Sequence, residues 1–291
     1  MAMSYLGSYR LLNPINTGQT TQLWQGRDDR ANRYVAIKTL SDKQKNDKKA
    51  AAMLRHEYAV GKAMDHPNII RMIEWGEDAG RPYLVMEWYP HGNMKNIVRQ
   101  GLDAYGYRVP ELAIAATEAV AYFNAQGWVH RDIKPDNFMV DDERNSLKLI
   151  DFAIAVRTQG LLARLFGSGN AVQGTRSYMS PEQIRAQAVD QRADLYSLAC
   201  MLFELAVGRP PYTGATSNEL LHKHLNAPIP SAETINANVT PEFSKLLRQA
   251  MAKKANERPA TTTGFLTSLK MVKIFKRNPV HPSAVVKDSD N

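Results

Sequence analysis

The chain has 291 residues, of which 44% are hydrophobic and 23% charged, and its formal net charge is +8. These proportions exclude a disordered chain and a collagen, and the single cysteine, Cys200, excludes a disulfide scaffold. Cys200 lies in an apolar run, which indicates a buried thiol in a reducing compartment. No apolar run approaches the roughly 20 residues that cross a bilayer, and residues 1–10 do not resemble a signal peptide, so we expect a cytoplasmic location. The positive charge leaves a nucleic-acid or membrane partner open.

The predicted elements change in type along the chain. Up to about residue 87, short apolar runs between Gly, Asn, Asp and Pro predict strands at 9–12, 23–27, 34–39, 70–75 and 83–87, and apolar spacing predicts one helix at 48–64. After residue 93, helices are predicted at 111–126, 194–207, 218–225, 242–252 and 263–275, with strand-like pieces at 128–156. We therefore predict an α+β chain in which a small β-rich part precedes a larger helical part.

Two polar loops follow strand-like pieces in the second half. Residues 130–137 read His-Arg-Asp-Ile-Lys-Pro-Asp-Asn, and Asp151-Phe152-Ala153 comes after a short hairpin. Carboxylate and amide oxygens are hard ligands of the kind that Mg²⁺ takes together with nucleotide phosphates. The pattern predicts a magnesium–nucleotide site.

The same residues resemble the catalytic loop and the metal-binding triplet of protein kinases. The resemblance implies that Asp132 is the catalytic base, and that Asn137 and Asp151 hold the metal. It also implies that Lys134 steadies the γ-phosphate, as in Ser/Thr kinases.

Further matches lie on both sides of this loop. Lys38, at the end of Val-Ala-Ile-Lys, resembles the lysine that pairs with the α- and β-phosphates, and Glu57 matches its acidic partner. Downstream, residues 174–182 resemble the segment on which a protein substrate lies. Asp194 matches a residue that caps the catalytic-loop backbone, and Glu182 and Arg258 match a structural ion pair.

The resemblance extends from about residue 9 to residue 269 and is strongest to bacterial Ser/Thr kinases of eukaryotic type. It implies a bilobal fold: a small N-lobe (1–87) with one main helix, a helical C-lobe (88–277) and a polar tail (278–291) expected to be disordered. The implied nucleotide contacts are Gly18, Leu23, Ala36, Lys38, Met86, Glu87, Tyr89, Met139 and Asp151, with Trp88 beside them in the hinge.

Two positions depart from the family pattern. Residues 16–21 keep only the middle glycine, Gly18, of the loop that covers the phosphates, and Ala153 replaces a glycine after the metal-binding aspartate. Because glycine allows close approach and left-handed backbone, we expect a stiffer phosphate loop with weaker nucleotide binding. Ala153 is expected to bias the Asp151 triplet towards one conformation.

The function implied is transfer of the γ-phosphoryl group of Mg-ATP, with Mn²⁺ as an alternative metal, to Ser or Thr hydroxyls of proteins, including the chain itself. A pseudokinase scaffold is the alternative that the two departures favour. A small-molecule kinase is disfavoured by the Lys134-Pro135 pair and by residues 174–182.

Regulation is expected in the segment between Asp151 and Glu182. Arg131 matches an arginine that pairs with a phosphorylated residue of this segment. The candidate phosphosites are Ser168, preferred because it lies in a Gly-rich stretch, then Thr158 and Thr175. Residues 160–166 have the apolar spacing of a short helix, which either covers the protein's own surface or meets a regulatory partner.

The excess charge is local. Between Lys245 and Arg277 six Lys and three Arg face one acidic residue, Glu257, which gives 9 − 1 = +8, so the rest of the chain is neutral. This distribution removes the support for a nucleic-acid partner. Either the segment leads into a linker or membrane-anchored region beyond residue 291, or it is a solvated basic helix end.

Overall fold

The computed structural model describes residues 5–141, 143–144, 146–158 and 176–285. Their contacts divide the chain into two compact units. The smaller unit comprises Met1–Pro90 and Ile150–Ile154, and the larger comprises His91–Leu149 and Ala155–Asn291.

The smaller unit is built on an antiparallel sheet of six strands in the order β1-β2-β3-β4-β6-β5. The strands are β1 (Tyr5–Leu6), β2 (Tyr9–Thr17), β3 (Thr21–Asp28), β4 (Arg33–Leu40), β5 (Met72–Asp78) and β6 (Arg81–Glu87). Successive side chains of a strand point to opposite faces. One face therefore carries a buried apolar cluster: Leu6, Tyr9, Leu11, Val35, Ile37, Tyr83 and Val85, with Trp24 and Ile73 packed against it.

Helix α1 (Lys48–Lys62) follows a polar turn. It begins where the Asp47 side chain accepts hydrogen bonds from the backbone N–H groups of Lys49 and Ala50, at 2.8 and 3.2 Å. Near its end, Gly61 lies so close to Met72 and Phe152 that a Cβ there would be 2.7 and 2.9 Å from their nearest side-chain atoms. A glycine is required at this crossing because of space.

The larger unit is mainly helical. Its helices are α2 (Met94–Arg99), α3 (Leu102–Tyr105), α4 (Val109–Ala125), α5 (Pro181–Ile184), α6 (Gln191–Val207), α7 (Ser217–Asn226), α8 (Ala232–Ile235), α9 (Pro241–Ala250), α10 (Thr262–Met271) and α11 (Pro282–Val285). Two short antiparallel ladders join β7 (Trp128–Val129) to β10 (Val156–Arg157) and β8 (Phe138–Val140) to β9 (Leu147–Leu149).

Helix α6 forms the centre of the larger unit. Its residues from Ala193 to Ala206 are all buried, as expected for a helix with apolar residues on every side, and the polar Asp194 and Glu204 among them are hydrogen-bonded. Asp190 caps its start, and Gly208 ends it in the left-handed conformation at φ 82°. Cys200 lies in this helix, where burial raises the pKa of its thiol to about 12, so the predicted buried thiol is confirmed.

The structure differs from the predicted elements at several places. Helix α2 was not predicted, and Asn93 caps it by accepting a hydrogen bond from the N–H of Asn96 at 3.0 Å. The helix predicted at 263–275 ends at Met271, because Phe275 lies in an isolated bridge with Val239. The short helix predicted at 160–166 lies outside the described residues.

Part of the polar tail is described. The stretch 278–291 was predicted to be disordered, but helix α11 lies within it, and the ring of His281 packs edge-on against Tyr107 at 4.7 Å between centroids. His281 also accepts a hydrogen bond from the N–H of Ser283 at 3.2 Å. The Tyr107–His281 pair joins residues distant in sequence, which a compositional prediction does not see.

The predicted α+β class is confirmed by a sheet-based unit and a helical unit. In the described ranges, no helix combines the length and apolar composition that crossing a bilayer requires.

Candidate active site

The face of the sheet opposite the apolar cluster carries the predicted nucleotide-binding residues of the smaller unit. Ala36 and Lys38 alternate with the buried Val35 and Ile37 on β4. Cross-strand partners share a face, and Lys38 pairs with Leu23 while Ala36 pairs with Met86. The structure thus brings Leu23, Ala36, Lys38 and Met86 together on one face.

Lys38 is held by two carboxylates. Its Nζ lies 2.9 and 2.7 Å from the two carboxylate oxygens of Glu57 on α1, and 3.7 Å from Oδ1 of Asp151. Burial opposes the charge of Lys38, but Glu57 and Asp151 outweigh it and keep the pKa of Lys38 above its usual value. The predicted Lys38–Glu57 pair is confirmed, and it fixes a permanent cation on this face.

Asp151 adopts an unusual backbone conformation, with φ at 67°. This left-handed conformation costs an aspartate roughly 1 kcal/mol or more, so the surrounding structure must hold it. The next residue, Phe152, is fully buried and packs against Gly61 of α1. Ala153 is not left-handed. The buried Phe152 therefore anchors the aspartate that the sequence assigns to the metal.

The reduced phosphate loop is a tight hairpin between β2 and β3. The backbone N–H of Gly18 donates to the carbonyl of Thr21 at 2.9 Å, and Thr21 already pairs with Leu40 as the first residue of β3. None of the six described residues 16–21 has a positive φ. In this conformation the turn therefore closes by ordinary antiparallel pairing without left-handed residues, and the expected stiffness and weaker nucleotide binding stay predictions.

The predicted hinge follows the end of β6. The backbone N–H of Glu87 donates to the carbonyl of Arg71 at 3.0 Å, and its Oε1 accepts from the N–H of Arg71 at 2.9 Å. Met86 is buried. Trp88 and Tyr89 follow in irregular backbone and are half-buried. Contacts of these backbone groups with adenine stay a prediction.

The larger unit holds the predicted catalytic loop. The carboxylate oxygen Oδ2 of Asp132 accepts from Nζ of Lys134 at 2.6 Å and from Nδ2 of Asn137 at 3.2 Å. Nδ2 of Asn137 also donates to the Asp132 carbonyl at 2.8 Å, which orients the amide of Asn137. The three predicted residues are brought together, with the aspartate fixed by two side chains.

A buried aspartate supports this loop from below. The carboxylate of Asp194, on α6, accepts from the backbone N–H groups of His130 and Arg131 at 2.7 and 2.8 Å, which confirms the predicted capping. It also accepts from Nδ2 of Asn124 at 2.8 Å, and Asn124 in turn accepts from the hydroxyl of Thr262 at 2.7 Å. Burial raises the pKa of Asp194, and these donors oppose the rise.

The backbone N–H and carbonyl of Arg131 are both bound by side chains. Arg131 has φ at 70°, its N–H donates to Asp194, and its carbonyl accepts from Nε2 of Gln183 at 2.7 Å. Gln183 also closes a capping box with Ser180 at the start of α5. The sequence analysis missed Gln183 and Asn124, although Ser-Pro-Glu-Gln is a readable capping signature for the former.

The predicted ion pair after this segment is confirmed. Both terminal nitrogens of Arg258 donate to the carboxylate of Glu182, at 2.7 and 2.9 Å, and the Arg258 side chain is fully buried. Such a two-pronged pair fixes direction as well as distance. It ties α5 to the loop that precedes α10.

Met139 lies on the hairpin β8–β9, on the half-buried side, because its neighbours Phe138 and Val140 are fully buried. It is thus available to an apolar ligand surface.

The segment after the Asp151 triplet begins with the β7–β10 ladder, in which Val156 pairs with Val129.

The candidate phosphosites differ in what can be seen. Thr158 is described: its backbone N–H and its hydroxyl both donate to the carbonyl of Gly127, at 3.0 and 3.1 Å. A phosphate on Thr158 would replace this donor with negative oxygens. Ser168 and Thr175 lie outside the described residues.

Arg131 is the arginine predicted to pair with a phosphorylated residue. Burial lowers the pKa of Arg131, whose Nε has no hydrogen-bond partner within the described ranges.

Comparison with known proteins identifies the family. The model of the protein kinase domain matches residues 9–268, so the chain belongs to the protein kinase domain family, and the predicted resemblance and the bilobal kinase fold class are confirmed.

Curated bacterial relatives resemble most of the chain. It is 32% identical to the serine/threonine-protein kinase PknB of Mycolicibacterium smegmatis over 264 residues, which are 87% of this chain and 41% of that protein. It is 31% identical to the serine/threonine-protein kinase PrkC of Bacillus subtilis over 264 residues, 91% of this chain and 40% of that protein. A probable serine/threonine-protein kinase of Streptomyces coelicolor is 32% identical over 256 residues, 87% of this chain and 38% of that protein. The chain thus spans about two fifths of the length of these relatives.

The family uses ATP with a divalent metal, and the predicted ligands fit such a cation. Because Nδ2 of Asn137 donates to Asp132, the amide oxygen of Asn137 is the atom that could bind a metal. Asp151 supplies a carboxylate that is about two fifths exposed. Each of these donors is a hard oxygen of the kind that a divalent cation takes together with phosphates and water, and their joint use as metal ligands stays a prediction.

Proposed function

We propose that the chain transfers the γ-phosphoryl group of ATP to Ser or Thr hydroxyls of protein substrates. The observation that carries the proposal is the fixation of Asp132 by Lys134 and Asn137. A carboxylate so held can accept a hydrogen bond from a substrate hydroxyl and take its proton as the oxygen attacks the γ-phosphorus. The relatives named serine/threonine-protein kinase support this choice of acceptor.

Lys38 supplies the second requirement, a fixed positive charge. Held by Glu57, its ammonium can pair with the nucleotide phosphates without losing a proton. The bond from the γ-phosphorus to the bridging oxygen of ADP breaks as the bond to the substrate oxygen forms. Lys134, beside Asp132, can offset the charge on the γ-phosphate during transfer. The metal, when bound, neutralises phosphate charge.

The finer predictions belong to this proposal. We expect Mg²⁺ to be preferred over Mn²⁺, because a carboxylate, an amide oxygen, phosphates and water form the ligand set that it takes in nucleotide sites. Leu23, Ala36 and Met139 would contact adenine, Met86, Glu87 and Tyr89 would border it, and Gly18 would lie over the phosphates. Ser168 is the preferred phosphosite, because phosphorylation of Thr158 would break its bond to Gly127. A cytoplasmic location, where ATP is available, and a regulatory partner complete the proposal.

The test is transfer of labelled phosphate from ATP to the chain itself and to a general protein substrate. Asp132→Ala should reduce transfer at least 100-fold. Asp136→Ala, which removes an aspartate of the same loop, is the matched control and should retain activity. Wild-type protein that binds ATP without transfer would instead indicate a pseudokinase scaffold, and transfer to an aminoglycoside but not to protein would indicate a small-molecule kinase.

A further inference from the structure

The three residues that follow the undescribed segment each meet a different side chain of the larger unit. Arg176 donates to the hydroxyl of Ser217, the first residue of α7. Tyr178 donates to Glu204 on α6. Between them in sequence, the backbone of Ser177 contributes to raising the pKa of the ring of His224, near the end of α7. Residues near both ends of α7, Ser217 and His224, therefore interact with residues 176–178. These belong to the segment on which a protein substrate would lie.

His224 is the most deeply buried of these partners, with none of its surface exposed. Its ring packs against Tyr196 and Tyr212, with centroids 5.8 and 4.9 Å apart. Nδ1 is 2.9 Å from the Tyr196 hydroxyl, but Nε2 is buried and has no hydrogen-bond partner among the described residues. Burying a polar atom without a partner is costly, so this nitrogen needs an explanation.

The ring is neutral near pH 7. Burial and, less strongly, the ammonium of Lys253 lower the pKa of His224 to about 4. Lys253 is close because its Nζ donates to the His224 carbonyl at 2.8 Å and lies 4.4 Å from the centroid of the Tyr212 ring. A neutral imidazole carries one N–H, and the hydrogen bond at the other nitrogen decides where it sits.

The backbone of Ser177 favours one arrangement. It contributes to raising the pKa of His224, as a carbonyl acceptor near the ring does, although Nε2 has no hydrogen-bond partner of ordinary geometry among the described residues. If the Tyr196 hydroxyl donates to Nδ1, then Nε2 carries the hydrogen and points a donor at this carbonyl. The opposite tautomer would set the lone pair of Nε2 against the carbonyl oxygen, which is repulsive.

We propose that His224 is a positioning residue: its Nε2–H donates to the Ser177 carbonyl when a peptide substrate is bound, and so fixes the backbone on which the substrate lies. The inference rests on the proposed function. A small approach of Ser177 satisfies a donor that is otherwise orphaned, so the substrate-binding arrangement of residues 176–178 is favoured from inside the protein. His224 acts through Ser177 and touches no reacting atom.

Steady-state kinetics test the proposal. His224→Phe keeps the ring and removes the donor, and it should raise KM for a peptide substrate about tenfold, the loss of one hydrogen bond, while KM for ATP changes less than twofold. His224→Gln, which keeps an N–H donor, should recover part of the loss. An unchanged peptide KM in His224→Phe, or an equal rise in both KM values, would overturn the proposal.

A spectroscopic measurement on the wild-type chain keeps the test independent of whether the variants fold. Long-range ¹H–¹⁵N spectra of ¹⁵N-histidine-labelled protein should show the Nε2–H tautomer for His224, assigned with Tyr196→Phe. The proton should move downfield when peptide and a non-hydrolysable ATP analogue bind. The Nδ1–H tautomer, or no shift on binding, contradicts the proposal. Wild-type protein without phosphoryl transfer would defeat the proposed function, whereas normal activity with unshifted KM values defeats this inference alone.

Discussion

Lys95 and Glu204 form an ion pair beneath the segment that contains Tyr178: Nζ of Lys95 is 2.6 Å from Oε1 of Glu204. Glu204 is almost completely buried in α6, and its other oxygen accepts from the Tyr178 hydroxyl. Burial, followed by Glu204, raises the pKa of Tyr178, which remains a neutral donor. The positive charge of Lys95, on α2, thus compensates the negative charge of Glu204.

Removal of Lys95 alone should therefore be costly. Lys95→Met leaves a buried carboxylate without its cation, and we expect a loss of about 3–5 kcal/mol in the free energy of unfolding, measured in urea. The double variant Lys95→Met/Glu204→Gln should recover a large part of it. Lys270→Met breaks the exposed pair with Glu118 and should cost less than about 1 kcal/mol. Equal costs for the two single variants would contradict this account.

Arg258→Lys should destabilise the larger unit although it keeps the charge. The two hydrogen bonds to Glu182 and the bond to the Arg192 carbonyl, at 2.7 Å, need the planar guanidinium. We expect a loss of about 2 kcal/mol or more in urea unfolding. A lysine variant with wild-type stability would show that charge alone is required.

Glu57→Gln should lower turnover about 10- to 100-fold and leave the fold intact. The substitution removes the charge that holds Lys38 in place, and misplacement of a phosphate-binding group by about 1 Å has costs of this size. Single-turnover phosphoryl transfer measures the effect. Glu77→Gln, on β5 of the same unit, is the control and should behave as wild type.

Lys253 predicts a pH dependence. Burial and, less strongly, the nearby Arg258 lower its pKa from 10.5 to about 8. Between pH 8 and 10.5 the unfolded chain keeps a proton that folded Lys253 has lost, so the stability contributed by Lys253 rises with pH in this window. The free energy of unfolding of wild type minus that of Lys253→Met should rise by on the order of 1–2 kcal/mol, after allowance for solvent access.

Urea unfolding at pH 7.5, 9 and 10.5 measures this difference, and the titrations common to both proteins cancel. Lys245→Met, at an exposed position of α9, should show no such rise. A difference that falls with pH would mean that the site favours the ammonium form.

Gly61→Ala should destabilise the smaller unit by about 1–3 kcal/mol, because the new methyl group would overlap Met72 and Phe152. Thermal unfolding measures the effect. The cost should fall in a Met72→Val background, which leaves room for the methyl group. An equal cost in both backgrounds would point to helix backbone effects instead of packing.

Motifs that resemble those of protein kinases predicted much of the site. In the structure, alternation along Val-Ala-Ile-Lys places Lys38 opposite the apolar cluster, and residues 130–137 fold through contacts between near neighbours such as Asp132 and Asn137. The loop that keeps only Gly18 closes by strand pairing, and the weaker nucleotide binding expected from its missing glycines stays a prediction.

What was missed depends on contacts between distant residues. Lys95 meets Glu204 across 109 positions, and Asn124 meets Thr262 across 138. Nothing in the periodicity of one helix states which polar side chain of another will face it. Such pairs follow from the packing of α2 against α6 and of α4 against α10, and become visible only in three dimensions.

The two hydrogen bonds that hold the backbone of Arg131 have a consequence for hydrogen exchange. The amide proton of Arg131 is bound to Asp194 and its carbonyl to Gln183, so the peptide groups on both sides of Arg131 are held by side chains of α6 and α5. Because Asp194 is fully buried in α6, we expect this amide to exchange with solvent slowly, mainly through openings that approach global unfolding. On heating, the larger unit should therefore retain its catalytic loop until it melts as a whole, without an earlier loss of the loop alone.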